Sequence, residues 1–98
     1  MAKKKPLESA IESYFEAQAK QQGFLCWKFI SPSQDGVPDR VLIGHGITAF
    51  VELKRPGEKP RPLQKFILKT MEEHGAIVGV VDSKETADKF LRKLTKDR

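Results

Sequence analysis

Two short apolar segments, residues 48–54 (TAFVELK) and 76–81 (AIVGVV), are separated by one helix-length stretch that starts at Pro62 and stops at Gly75. Proline suits a first helical position, where its missing N–H is not needed. Glycine suits the left-handed residue that ends a helix. A strand, a long helix and a second strand in one sheet close as a right-handed crossover, so the two strands are expected to be parallel. Leu63, Phe66, Ile67, Thr70 and Met71 are the expected buried face of the helix, and AIVGVV, apolar throughout, is expected to be a fully buried strand.

The rest of the chain must fit around that unit. RVLIG and TAFVELK are joined through GHGI, a short hairpin connection. FLCWKFI, residues 24–30, reads as a further strand by its aromatic and apolar content. Before it, Leu7, Ile11, Tyr14 and Phe15 recur at helical spacing over residues 7–22, and Gly23 follows as the stop. Asp82 and Glu85 have the spacing of a capping box, ahead of a stripe of Ala87, Phe90, Leu91 and Leu94. The order is α-β-β-β-α-β-α, an α/β fold with a mixed four-stranded sheet flanked by helices. The 98 residues are enough for a single domain over residues 7–98, preceded by a basic arm over residues 1–6.

Charge narrows the partners. Eighteen Lys and Arg against thirteen Asp and Glu leave a net charge of +5, which suits a polyanion such as DNA or RNA. Cys26 is the one cysteine, so an intrachain disulfide and a C-x-x-C zinc site are both excluded. It reads as a core thiol in a reducing cytoplasm. No apolar run approaches membrane-spanning length, and MAKKKP has no apolar region behind it, so a signal peptide is not expected. Neither His45 nor His74 has a metal-binding partner at a recognisable spacing.

The informative oddity is the placing of acids. Side chains alternate along a strand, which sends Ala49, Val51 and Leu53 to one apolar face and Thr48, Phe50, Glu52 and Lys54 to the other. Glu52 and Lys54 are then neighbours, about 6–7 Å apart along the strand. Asp39 lies at the mouth of the preceding strand, which folds back beside the third. A surface salt bridge would explain Glu52 and Lys54 alone. Adding Asp39 makes a set suited to phosphodiester chemistry. Two carboxylates can hold a hard divalent cation that acidifies a bound water, and a lysine can orient that water or offset charge on phosphorus.

VPD (Val37 to Asp39) followed by ELK (Glu52 to Lys54) resembles the P-D…(D/E)-x-K pattern of a large nuclease superfamily. The wider text, GVPDR, FVELKRPGEKPRPLQ and an acidic first helix, is similar to stand-alone VRR-NUC nucleases of phages and bacteria over Glu8 to Phe90. The element order also resembles that of archaeal Holliday-junction resolvases. The resemblance implies a restriction-endonuclease-like core. It implies Asp39, Glu52 and the main-chain carbonyl of Leu53 as metal ligands, with Mg²⁺ or Mn²⁺ as cofactor. Lys54 would be the catalytic lysine, and Gln64 would complete the site. In the first helix Glu12, eleven residues before Gly23, has the matching spacing, with Glu8 as the alternative; Ser9 and Glu12 also form an S-x-x-E capping box.

Arg55, Lys59, Arg61 and Lys65 cluster after the active strand and could grip phosphates beside the scissile bond; Lys28 and Arg40 are further candidates for that surface. The function implied is a metal-dependent, structure-selective DNA endonuclease, resolvase-like, cutting a four-way junction as a homodimer in the cytoplasm of a bacterial or phage-infected cell. The alternatives are a non-catalytic DNA-binding module on a degenerate nuclease fold and a restriction-type duplex endonuclease.

Overall fold

The computed structural model describes residues 5–96. Its elements are α1 (Lys5–Gln21), β1 (Leu25–Lys28), β2 (Arg40–Gly44), β3 (Ile47–Leu53), α2 (Pro62–Glu73), β4 (Ile77–Val81) and α3 (Lys84–Thr95). The order is the one the sequence implies, and the sheet runs β1-β2-β3-β4. β1 and β2 are antiparallel, β2 and β3 are antiparallel, and β3 and β4 are parallel. The hairpin between β2 and β3 turns on His45 and Gly46, both with positive φ (52° and 77°). That is the requirement of the two-residue turn whose twist matches a hairpin.

One face of the sheet is closed by α1 and α3. Ile11, Phe15 and Ala19 of α1 and Ala87, Phe90, Leu91 and Leu94 of α3 pack with Leu42, Ala49, Val51, Leu53 and Val81 into one core. The alternation read from β3 therefore holds for Ala49, Val51 and Leu53. Phe90 packs so close to β4 that a Cβ on Gly79 would fall 2.5 Å from its ring. The two helices are also tied by Tyr14, whose hydroxyl donates to Asp88 Oδ1 at 2.7 Å.

Several local expectations are corrected. α1 begins at Lys5, which puts Ser9 inside the helix and removes the S-x-x-E capping box. Residues 1–4 of the expected arm lie outside the described residues. β1 covers only Leu25–Lys28 of the seven-residue apolar run. The cap of α3 is Ser83, whose Oγ accepts from Thr86 N–H at 3.1 Å, not Asp82 with Glu85. Thr86 Oγ1 in turn accepts from Ser83 N–H at 3.0 Å, so a threonine does the work assigned to a glutamate.

α2 buries Ile67 and Leu68, while Phe66 is 64% exposed and Leu63 is also exposed. β4 is an edge strand rather than a fully buried one, with Ile77 and Val80 exposed. Both corrections have one cause: only one side of this helix–strand unit is closed by other elements. No helix among the described residues is long and apolar enough to cross a membrane.

Candidate active site

The antiparallel register sets Arg40 opposite Val51. Continued by one step it sets Asp39 opposite Glu52, on the sheet face away from the core. Hydrogen bonds hold Asp39 there from both sides. Its carbonyl accepts from Phe29 N–H at 2.8 Å, and its Oδ2 accepts from Leu53 N–H at 3.0 Å. Lys54 N–H donates to the Val81 carbonyl at 2.9 Å, which prolongs the β3–β4 ladder and fixes the end of β3. Lys54 Nζ lies 3.4 Å from Glu52 Oε2. Sequence reading thus brings Asp39, Glu52 and Lys54 to one place, and the structure does the same.

Alternation separates Glu52 from the core face but says nothing of its burial. Its side chain is only 2% exposed, and that of Lys54 15%. Taking such charges out of water costs several kcal/mol per ion, and an apolar pair of similar volume would be about as stable. Buried charges gathered at a strand end mark a candidate site. Phe29 and Phe50 add a feature missed in the sequence: their rings meet at 5.2 Å beside the two carboxylates. The register that pairs Lys28 with Arg40 leads Phe29 to Asp39, so this apolar wall was implicit in strand pairing and invisible without it.

The other candidates divide. Gln64 is at the third position of α2, and its Oε1 accepts from Arg61 N–H at 2.8 Å. With Asp35, Gly36, Arg61 and Leu63 it lines a cavity of about 370 Å³ at the helix start. Lys59, Arg61 and Lys65 are exposed, and among the described residues none forms an ion pair. Arg55 is paired with Glu58 at 3.1 Å, and the N–H and guanidinium of Arg55 hold the Glu58 carboxyl below its usual range.

Arg40, expected on the DNA surface, is instead 4% exposed on the α1 face. Glu12 meets it there, Oε1 to Nη2 at 3.5 Å. The side chain of Glu8 lies outside the described residues. Cys26 is buried, and burial pushes its thiol up in pKa, as expected of a core cysteine.

Among the described residues no group of three or more His, Cys, Asp or Glu side chains is arranged to hold a metal ion. The acids at the strand end are Asp39 and Glu52, and the Leu53 N–H donates to Asp39. Carboxylates are hard oxygen donors, of the kind that suit a hard divalent cation rather than a soft one.

Comparison with known proteins gives three results. No protein-family model matches the chain. A phage protein named "Putative nuclease p44", from Acyrthosiphon pisum secondary endosymbiont phage 1, is 45% identical over 58 residues; the match spans 58% of this chain and 62% of p44. A solved structure described as a VRR_NUC domain superposes with a TM-score of 0.81 at 30% identity, covering 87% of this chain and 94% of that one.

Proposed function

The chain belongs to the VRR-NUC family of nuclease domains, and on that premise we propose that it is a divalent-metal-dependent DNA endonuclease acting on branched DNA, with a four-way junction as its preferred substrate. The observation that carries the reading is the meeting of Asp39, Glu52 and Lys54 at the end of β3, with Asp39 tied to the Leu53 N–H.

Asp39, Glu52 and the carbonyl of Leu53 are the groups that would hold Mg²⁺ or Mn²⁺. Bound there, such an ion supplies Lewis acidity to the phosphoryl oxygen and lowers the pKa of a water. The protein's own contribution is positional and electrostatic. Lys54 presents a compact positive charge where negative charge grows on phosphorus. The Phe29–Phe50 wall lowers the local dielectric, which strengthens that interaction. Arg55, Lys59, Arg61 and Lys65 follow β3 directly and would grip the phosphates on either side, making binding salt-dependent. Gln64 sits among them, with its amide nitrogen as the group to offer.

Symmetric resolution of a junction needs two sites and hence two protomers. The second copy fits the open sheet face. Leu25 pairs with Ile43 and Trp27 with Val41 on that face, and Leu25, Trp27 (57% exposed) and Ile43 are exposed. None of the four is charged, so two chains of +5 each can meet there without opposing like charges.

The test is incubation of purified protein with labelled four-way junction, flap and plain duplex, with Mg²⁺, with Mn²⁺ or with EDTA. The junction should be cut fastest and only with metal. Undiminished cutting in EDTA removes the metal-dependent reading. Equal cutting of plain duplex favours the restriction-type alternative, and binding without cutting favours the non-catalytic module.

A further inference from the structure

Arg40 has no part in the chemistry described so far, yet it is buried in the sheet end where an aliphatic residue would cost less desolvation. Its contacts differ in quality. Nε and Nη2 both reach Oε2 of Glu16, at 3.1 and 3.0 Å. Nη2 reaches Oε1 of Glu12 only at 3.5 Å, beyond ordinary hydrogen-bond range. Nη1 donates to the main-chain carbonyl of Asp39 at 3.3 Å. Asp39 is thereby tied to β1 through Phe29, to β3 through Leu53, and to α1 through Arg40.

Two carboxylates face one guanidinium, so one of them suffices to neutralise it. Glu16 makes the two short contacts and Glu12 the single long one. Both acids are 37% exposed, so either can be rehydrated if it leaves.

We propose that Arg40 is a positioning residue anchored by Glu16, with Glu12 the weaker of its two acids. Glu16 clamps the guanidinium against the Asp39 carbonyl, which holds the Asp39 carboxylate toward Glu52. The assignment rests on the metal-dependent reading above, and it distinguishes two acids that lie one helical turn apart.

Three variants test it: Glu16→Gln, Glu12→Gln and Arg40→Lys. Each is measured for thermal midpoint without metal, for Mn²⁺ binding, and for junction cleavage as a function of Mn²⁺ concentration. Glu16→Gln should lower the metal-free midpoint and weaken Mn²⁺ binding by about 10-fold, the usual scale when a partner supporting a metal ligand is lost. High Mn²⁺ should restore its cleavage. Arg40→Lys keeps the charge but not the fork, and should behave like Glu16→Gln. Glu12→Gln should leave the metal-free midpoint unchanged.

A Glu16→Gln protein with a lower midpoint but wild-type Mn²⁺ binding would make the clamp merely structural and overturn the proposal. A larger fall in midpoint for Glu12→Gln than for Glu16→Gln would reverse the roles and also overturn it. Absence of Mn²⁺ binding by the wild type would sink the metal-dependent reading instead, and the metal-free midpoints would still decide which acid is the anchor.

Discussion

Arg40 and Glu52 are buried almost equally, on opposite faces of the same strand pair, and the fold treats them differently. Arg40 is a permanent cation, held from the α1 side by two acids that keep part of their hydration. At Glu52 the buried group is the acid, Asp39 stands opposite it, and Lys54 brings one positive charge to two carboxylates. Each cluster thus sets two carboxylates against one cation, and what differs is which partner is hidden. On one face the buried charge is a cation, on the other an acid. The hidden acid stands beside a second carboxylate, whereas the hidden cation stands between two acids that reach water.

The sharpest way to break this comparison is to remove charge on the Glu52 face with little change of shape. Asp39→Asn, Glu52→Gln and Lys54→Met should each lower cleavage by about 10²–10³-fold, the scale for losing a group that stabilises transition-state charge. Circular dichroism should show an unchanged fold. Glu52→Ala is the poorer choice, since truncating a buried side chain also opens a cavity. Wild-type rates in all three variants would place the chemistry elsewhere.

The complementary change is Arg40→Met, which should lower stability and, through the Asp39 carbonyl, weaken Mn²⁺ binding as well. Removing one partner of a fully buried pair costs about 3–5 kcal/mol. Because Glu12 and Glu16 can rehydrate, about 2 kcal/mol is expected here. Urea unfolding measures it, and a loss of cleavage with no loss of stability would contradict the contrast between the faces.

A smaller effect on stability is expected from Trp27→Asp on the open face, because the side chain is already exposed. Sedimentation should nonetheless change, from about twice the 11.1 kDa chain mass to the chain mass itself. A variant that remains dimeric would move the interface off this face.

The mildest test concerns the closed face in alkali. The hydrogen bond to Asp88, then burial and then the charges of Asp88 and Glu85, raise the pKa of Tyr14 above 10.0. A raised folded pKa means that the Tyr14–Asp88 link contributes fully below pH 10 and is lost as pH climbs through the folded value. The stability difference between wild type and Tyr14→Phe should therefore shrink above pH 10. A difference constant to pH 11 would show that the bond is not coupled to tyrosine ionisation.

Much of the architecture was legible in the chain because it depends on local periodicity. A proline-started, glycine-stopped helix between two apolar segments implied parallel β3 and β4, and the short GHGI link implied the hairpin. Alternation along β3 placed Glu52 and Lys54 together, away from Ala49, Val51 and Leu53, and the hairpin returned Asp39 to them. Those are rules of a few residues' reach.

What only the tertiary structure decided was which surfaces are covered. Periodicity separates the two faces of a helix or strand but carries no information on what packs against each. The exposure of Phe66, Leu63 and Trp27 and the edge position of β4 could not be read from it. The same holds for Arg40, whose basic character beside Asp39 suggested a phosphate grip. Its partner Glu16 lies 24 residues away in the chain, and only the docking of α1 on the sheet turns that guanidinium inward.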